Sequence, residues 1–395
     1  MDYPLATSSW DHLETDAISR VVVSGNYTMG KEVFSFEENF AKLTNTKYCV
    51  MVNSGSSANL IMIGAMFYKK NNPWKRGDEV IVPAVSWPTT YCPLYQYGLK
   101  IKFVDVDLKT LNFDIEILRS AITPKTKGIL AVNLLGNPND FEKIQKMIEG
   151  KDIILLEDNC ESLGAQFKGK QAGTFGLMGT FSTFFSHHIS TMEGGMVVTD
   201  DQEIHHILLC LRSHGWTRNL PKENLVCGLK SDDLFEESFK FVLPGYNVRP
   251  LELEGAVGKE QLKKLPHFIK ERRENAIIFQ ECFNNHPVVS IQQEIGQSSW
   301  FGFSMIIRPD VGVERKEIIK RLEDAGIECR PIVAGNFAKN EVIKYFDHEI
   351  FGVLKNAQWI DANGFYVGNH PYDIKNKIKL LMKELDVVRQ MMLDK

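Results

Sequence analysis

From residue 47 onward the chain alternates between short, nearly unbroken apolar runs and segments whose apolar residues recur at helical spacing. "YCVMVNS" (48–54) predicts a buried strand. "SGSSANLIMIGAMFYKK" (54–70) predicts a helix with Ser/Asn capping chemistry at its start and Leu60, Ile61, Ile63, Met66 and Phe67 on its apolar face. "DEVIVPAVSW", "KIKFVDVD", "KGILAVNLLG" and "DIILLEDNC" predict further strands, and "FDIEILRSAI" and "DFEKIQKMIEG" predict helices. "GTFSTFFS" and "GMVVTD" extend the sheet. Apolar strands alternating with helices imply an α/β fold with a mostly parallel sheet covered on both faces. After "PGYNVRPLELEGAVGKEQLKKL" the pattern changes to a long charged helix ("HFIKERRENAIIFQECFNN"), strands ("SWFGFSMIIRP") and another helix ("RKEIIKRLEDAGI"). The expected division is an N-terminal segment with a large α/β domain over residues 1–250 and a smaller α+β domain over residues 251–395.

A chain of 395 residues exceeds what a single core usually supports, which agrees with two domains. The net charge of -4 offers no electrostatic reason for nucleic acid or an anionic membrane as partner. No apolar run approaches the roughly 20 residues of a membrane helix, and the opening "MDYPLATSSWDHLETD" lacks the apolar core of a secretory signal. The seven cysteines (Cys49, Cys92, Cys160, Cys210, Cys227, Cys282, Cys329) form no CxxC pair, as expected of reduced thiols in the cytoplasm.

Four segments at strand ends carry candidate chemistry. "NSGSSAN" (53–59) opens a helix, where free amides and the Ser56 and Ser57 hydroxyls suit a phosphate, although a plain helix cap reads the same way. Trp87 in "AVSWPTT" either packs or stacks on a flat heteroaromatic ring. In "LLEDNCES" the acids Glu157, Asp158 and Glu161 are either solvated or hold a pyridinium proton. "STFFSHHISTMEGG" (182–195) adds Ser182 and a histidine pair, read as the end of a strand. Neighbours on a strand face opposite ways, so His187 and His188 are poorly placed to share a metal ion, and no ligand set accompanies them. The pair is then either structural or holds a working acid/base.

Phosphate, ring face and ring nitrogen are the three handles of pyridoxal phosphate. Carrying them in this order, the chain resembles the DegT/DnrJ/EryC1/StrS family of sugar aminotransferases, also through "GNYTMGKEVFSFEENFAKLTNTKY" and "GYNVRPLELEGAVGKEQLKKL". The resemblance implies the fold-type I, aspartate aminotransferase-like architecture. It puts Ser56, Ser57 and Ser182 on the phosphate, Trp87 over the ring, Asp158 on the pyridine nitrogen and Glu161 near the ring hydroxyl. Asn247 would reach the phosphate of the partner subunit's cofactor, which implies a homodimer with shared sites. The family's Schiff-base lysine falls on His187, a departure that matches the family's sugar 3-dehydratases. His188 is then the structural member of the pair, unless a shift of one residue exchanges them.

Imidazole cannot form the imine that lysine forms, but it remains a general acid/base. The resemblance therefore implies non-covalent pyridoxal phosphate, converted by L-glutamate to pyridoxamine phosphate with loss of 2-oxoglutarate. The expected reaction removes the C3 hydroxyl of GDP-4-keto-6-deoxy-D-mannose and releases ammonia, in the colitose branch of deoxysugar and O-antigen biosynthesis. Substrate contacts are expected from Asn26, Tyr27, Thr28, Met29, His214, Arg218, Arg249, Glu328 and Arg330. Related CDP-sugar dehydratases hold an iron–sulfur cluster on clustered cysteines. Cys210 and Cys227 are well separated in sequence, so neither cluster nor metal is expected here. An aminotransferase using another lysine, with Lys168 and Lys170 as poor candidates, and a non-catalytic relative are the alternatives.

Overall fold

The computed structural model describes residues 2–393. Eight strands form one sheet in the order Tyr48–Val52, Gly195–Thr199, Met178–Ser182, Ile154–Asp158, Thr126–Val132, Glu79–Pro83, Lys100–Val104 and His348–Ile350. Only Gly195–Thr199 runs against its neighbours, pairing antiparallel with Tyr48–Val52 and Met178–Ser182. The reason is its connection: residues 183–194 make a loop directly back beside Met178–Ser182, where a parallel return would require a longer crossover. The other strand pairs are parallel, and all their strands except the edge strand His348–Ile350 are almost wholly buried, as their continuous apolar sequences require.

The helix Gly55–Tyr68 runs close against the strand Met178–Ser182. Of its expected face, Ile61, Ile63 and Met66 are fully buried, but so are Met62 and Ala65, while Leu60 and Phe67 are only partly covered. A helix apolar all round is enclosed rather than laid on a surface.

A second core lies around the antiparallel strands Val289–Ile291, Gly302–Ile307 and Gly364–Gly368. The helix Lys375–Leu393 covers it with Ile378, Leu381, Leu385 and Val388, spaced three and four residues apart along one face. The helix expected to start at His267 actually spans Glu252–Phe283, with Pro266 in its interior. Proline removes one backbone donor and usually breaks a helix. Here the flanking turns are held by tertiary contacts: Gln261 and Lys264 bond the buried Glu14, while Leu265, Phe268 and Ile269 are buried. At the helix start, Glu252 accepts from the amides of Gly30, Glu32 and Val33, closing the N-terminus of the helix Lys31–Thr44, whose own cap residue has no side chain.

The chain after residue 251 does not stay within the second core. His348–Ile350 returns to pair with Lys100–Val104 at the edge of the large sheet. Phe337 stacks on Tyr91 at 4.2 Å, and Lys102, buried in the neighbouring strand, pairs with Glu79 at 2.8 Å. Three residues, "HEI", carry too little pattern to announce a strand, so an apparent boundary at 250 hides this exchange.

Candidate active site

The parallel strands end at one edge of the sheet in Ser54, Ser86, Trp87, Asn133, Asp158 and Ser182, and together these residues line a cavity of about 630 Å³. Ligands of open α/β sheets sit in such a crevice beyond the carboxyl ends of strands. Alternation at the end of Ile154–Asp158 separates the two acids. Glu157, wholly buried, accepts from the amides of Gly173, Phe175 and Gly176 and anchors that loop. Asp158 points the other way, into the cavity.

Asp158 is held by groups that only donate to it. Asn59 Nδ2 and Thr90 Oγ1 both reach Oδ2 at 2.8 Å, and the Cys160 amide reaches Oδ1 at 3.2 Å. Thr180 donates to Asn59 Oδ1 at 2.6 Å, which fixes the amide with its NH₂ toward the acid. The carboxylate therefore faces the cavity fully oriented. Glu161 accepts from the Leu135 amide at 3.1 Å, yet burial, with the Asp158 charge adding to it, pushes its carboxyl up to about 7.

At the floor, Ser54 caps the helix Gly55–Tyr68 by accepting from Ser57 N at 3.1 Å. The amides of Gly55 and Ser56, in the first turn, have no intrahelical acceptor, and both residues line the cavity beside Ser182. A methyl on Gly55 would come within 2.7 Å of Ser182 Cβ, and one on Gly195 within 2.2 Å of Ser54 O, so glycine keeps this cradle open. Donors at a helix N-terminus in such a cradle suit a phosphate. The Ser57 hydroxyl accepts from Ser54 Oγ at 3.1 Å, a bond that leaves its own O–H free to donate, and Ser57 is not among the residues that line the cavity. Trp87, 55% exposed, also lines the cavity. A flat ring between Trp87 and Asp158, with a phosphate on Gly55–Ser56 and Ser182, fits the residues present.

The histidine pair is not on a strand. The strand stops at Ser182, and the loop beyond it closes through Thr183 N to Gly194 O and Thr191 N to Thr183 O, both 2.9 Å. Alternation therefore does not govern the rings, yet they diverge. His187 lines the cavity and meets Phe301 edge-on at 5.1 Å, while His188 is buried with Nε2 on the Ser299 carbonyl at 3.1 Å. Burial, with Arg272 beside it, pulls the His187 imidazole down to about 4, so it stands neutral at pH 7. Among the described residues no lysine lines the cavity: Lys168 pairs with Glu142 at 2.7 Å and Lys170 lies over Phe175.

The expected substrate residues divide. Arg330 lines the cavity and donates to Glu328 at 3.0 Å; Glu328 also accepts from the Leu5 amide. Thr28, Met29, Arg218, Asn247 and Arg249 instead surround a second hollow of about 350 Å³, where Arg249 donates to Asn247 at 3.0 Å and Arg218 lies 3.8 Å over Trp216. Asn26, Tyr27 and His214 are exposed and line neither hollow. Sequence reasoning missed Asn59, Thr90 and Tyr366; the first two lay inside motifs already singled out, where a donor beside a strand-end acid was the available signal. Cys210 and Cys227 come together in one apolar core, and among the described residues no three potential ligands gather for a metal.

The model of the DegT/DnrJ/EryC1/StrS aminotransferase family matches residues 9–381. The chain belongs to this family. Among its relatives, the GDP-4-keto-6-deoxy-D-mannose 3-dehydratase of Yersinia pseudotuberculosis is 62% identical over 386 residues, 98% of both chains. A crystal structure of GDP-4-keto-6-deoxymannose-3-dehydratase with a trapped PLP-glutamate geminal diamine superposes with a TM-score of 0.96 at 62% identity, covering 97% of this chain and 100% of that one. A variant of that enzyme (ColD), with a histidine changed to lysine and the serine before it to asparagine, superposes at 0.95 and 62% identity over 96% of this chain and 100% of that one. Like other DegT/DnrJ/EryC1/StrS chains of this kind, the molecule is a fold-type I enzyme with its pocket at the strand ends.

Proposed function

We propose that this chain is a pyridoxal phosphate-dependent lyase that removes the C3 hydroxyl of GDP-4-keto-6-deoxy-D-mannose, with L-glutamate as amino donor and 2-oxoglutarate and ammonia as by-products. One observation carries the reading: a neutral imidazole, His187, and among the described residues no lysine, lines a cavity whose residues fit this cofactor. The variant relative supports the choice within the pair, since this chain's counterpart of a histidine directly preceded by serine is Ser186–His187; His188 follows a histidine. When bound, the amine form of the cofactor supplies a nitrogen for the sugar's C4 ketone and a ring that takes up electrons when a proton leaves the carbon bearing that nitrogen.

Asp158 accepts from the ring N–H and keeps that nitrogen protonated. Trp87 would cover one ring face, Ser56, Ser57 and Ser182 would bind the phosphate, and Glu161, poised near 7, would hold a proton on the ring hydroxyl side. His187 takes the proton and returns it to the departing hydroxyl, a transfer that a positioned acid/base accelerates by about 10²–10⁴-fold. Arg330, oriented by Glu328, offers paired donors to a carboxylate or diphosphate. The functional unit is a homodimer in which Asn247, with Thr28, Met29, Arg218 and Arg249, completes the cavity of the partner, and Asn26, Tyr27 and His214 border the sugar nucleotide. The reaction requires no iron–sulfur cluster and runs in the cytoplasm; no helix among the described residues is long and apolar enough to cross a membrane.

Ammonia and 2-oxoglutarate formed from L-glutamate in the presence of GDP-, CDP- or dTDP-linked 4-keto-6-deoxy sugars test this directly. Turnover is expected with the GDP sugar. An amino sugar as product, or a lysine adduct trapped by borohydride, would overturn the reading in favour of an aminotransferase.

A further inference from the structure

Behind His187 lies a second, much smaller cavity of about 10 Å³, bordered by Ser186, His187, His188, Arg272, Asn369 and His370. His187 thus forms part of the wall of both spaces. Three polar atoms on residues around the small one are buried without a protein partner: His187 Nδ1, His188 Nδ1 and Arg272 Nε. The other groups there are satisfied. His370 Nε2 donates to the Pro4 carbonyl at 2.9 Å, and its Nδ1 accepts from Thr7 at 3.1 Å. Arg272 Nη1 serves the carbonyls of Asn369, Phe301 and Trp300 at 2.8, 3.0 and 3.4 Å.

The roles of the three orphaned atoms are chemically fixed or nearly so. A carbonyl only accepts, so His188 carries its proton on Nε2, toward Ser299, and Nδ1 is a bare acceptor. Arg272 Nε is a donor in every state. An isolated buried donor or acceptor is costly, and three around one space are rare. A space of roughly 10–15 Å³ with two to four polar partners is what one buried water needs.

We propose that one water occupies this cavity, bridging His187 Nδ1, His188 Nδ1 and Arg272 Nε, and that it sets the working tautomer of His187. Resting on the function assigned to His187 above, the water acts through that residue's proton. To remove a proton with Nε2, neutral His187 must carry its own on Nδ1. The water accepts that N–H and the Arg272 Nε–H, and donates to His188 Nδ1, whose own proton goes to Ser299 O. The same Nδ1–H bond persists when His187 becomes cationic, so the water serves both halves of a proton shuttle. It also offsets the burial and the Arg272 charge that hold the imidazole down. His188 and Arg272 are thereby positioning residues, which explains why two histidines stand side by side.

Two readouts need no turnover. A high-resolution crystal structure is expected to show one water within hydrogen-bond reach of all three nitrogens. Imidazole ¹⁵N spectra of histidine-labelled protein, assigned with His187→Asn and His188→Asn, are expected to show Nδ1–H at His187 and Nε2–H at His188. An empty cavity, or a His187 proton on Nε2, would overturn the proposal. His188→Phe, which removes the acceptor, should lower kcat by about tenfold or more, well short of the roughly 10⁴-fold seen when a catalytic imidazole is left in the wrong tautomer. It should leave KM for glutamate unchanged and shift the acid limb of the pH profile, where the other charged or titratable groups facing His187 are Arg272 and His370 on the small cavity and Asp158, Cys160, Glu161, Glu193, Arg330 and Tyr366 on the large one. His188→Asn, which keeps an acceptor oxygen, should recover most of the rate. A merely structural His188 would instead change melting temperature in both variants without moving the tautomer or the pH limb, and that result also overturns the proposal. Persistence of turnover in His187→Asn would sink the assigned function while leaving the water readouts intact, so the two failures are separable.

Discussion

At the residue scale the site turns on which neighbour of a pair faces the cavity. Glu157 and Asp158 are chemically alike, and strand alternation sends one to a loop and the other to the cavity. His187 and His188 lie in a loop, where alternation has no hold, so the sequence could nominate His187 only by spacing from Ser182. Replacing His187 with lysine tests that choice. His187→Lys should become covalently linked to pyridoxal phosphate, seen by borohydride trapping and peptide mass, while dehydration falls by about 10²–10⁴-fold for want of a free base. Glu161 supplies a pH prediction. Burial raises its folded pKa from 4.5 to about 7, so the stability tied to its neutral form is complete below about 4.5 and is lost as pH rises through 7. Thermal melts of the cofactor-free protein should therefore show a loss of stability between these limits that Glu161→Gln reduces, the rest coming from Glu254, which burial also raises to about 7; an unchanged slope in the Glu161→Gln variant would contradict it.

At the element scale, legibility followed pattern length. Strands such as Thr126–Val132 and Ile154–Asp158 are buried on both faces and announce themselves as apolar runs, and the helix Gly55–Tyr68 is framed by its cap. The helix Glu252–Phe283 was cut short because Pro266 is a strong local stop sign, and the contacts that carry the helix across it come from residues more than two hundred positions away. Arg272 shows the same limit: within "KERRENA" nothing marks the one arginine that enters the core against the site loops. Since Pro266 is exposed and its ring costs one helical hydrogen bond, Pro266→Ala should stabilise the protein. The interior penalty of about 3 kcal/mol is partly offset by the greater freedom of the unfolded alanine chain, leaving a gain of roughly 2 kcal/mol in urea melts. A loss of stability would mean that the proline is needed where it stands.

At the scale of the whole molecule, the cavity and the second hollow divide the expected site residues between two places on one protomer. His187, Asp158 and Ser182 line the first, and Asn247 and Arg249 line the other. The proposed homodimer with shared sites would resolve this, because each protomer would lend its second hollow to its partner's cavity. Two inactive variants then rescue one another. His187→Asn removes the base from a protomer's own cavity, whereas Asn247→Asp sets a negative charge against the phosphate in the partner's cavity. In a mixed dimer one cavity receives both lesions and the other receives neither. Random reassortment of equal amounts makes about half the dimers mixed, so about a quarter of wild-type dehydration should return, the arithmetic of an isologous two-fold pair. Activity is read as ammonia release after unfolding and refolding the variants together, with each variant refolded alone as control. If Asn247 acted within its own protomer, every cavity in the mixture would carry a lesion. No activity would then return, and the shared-site dimer would have to be abandoned.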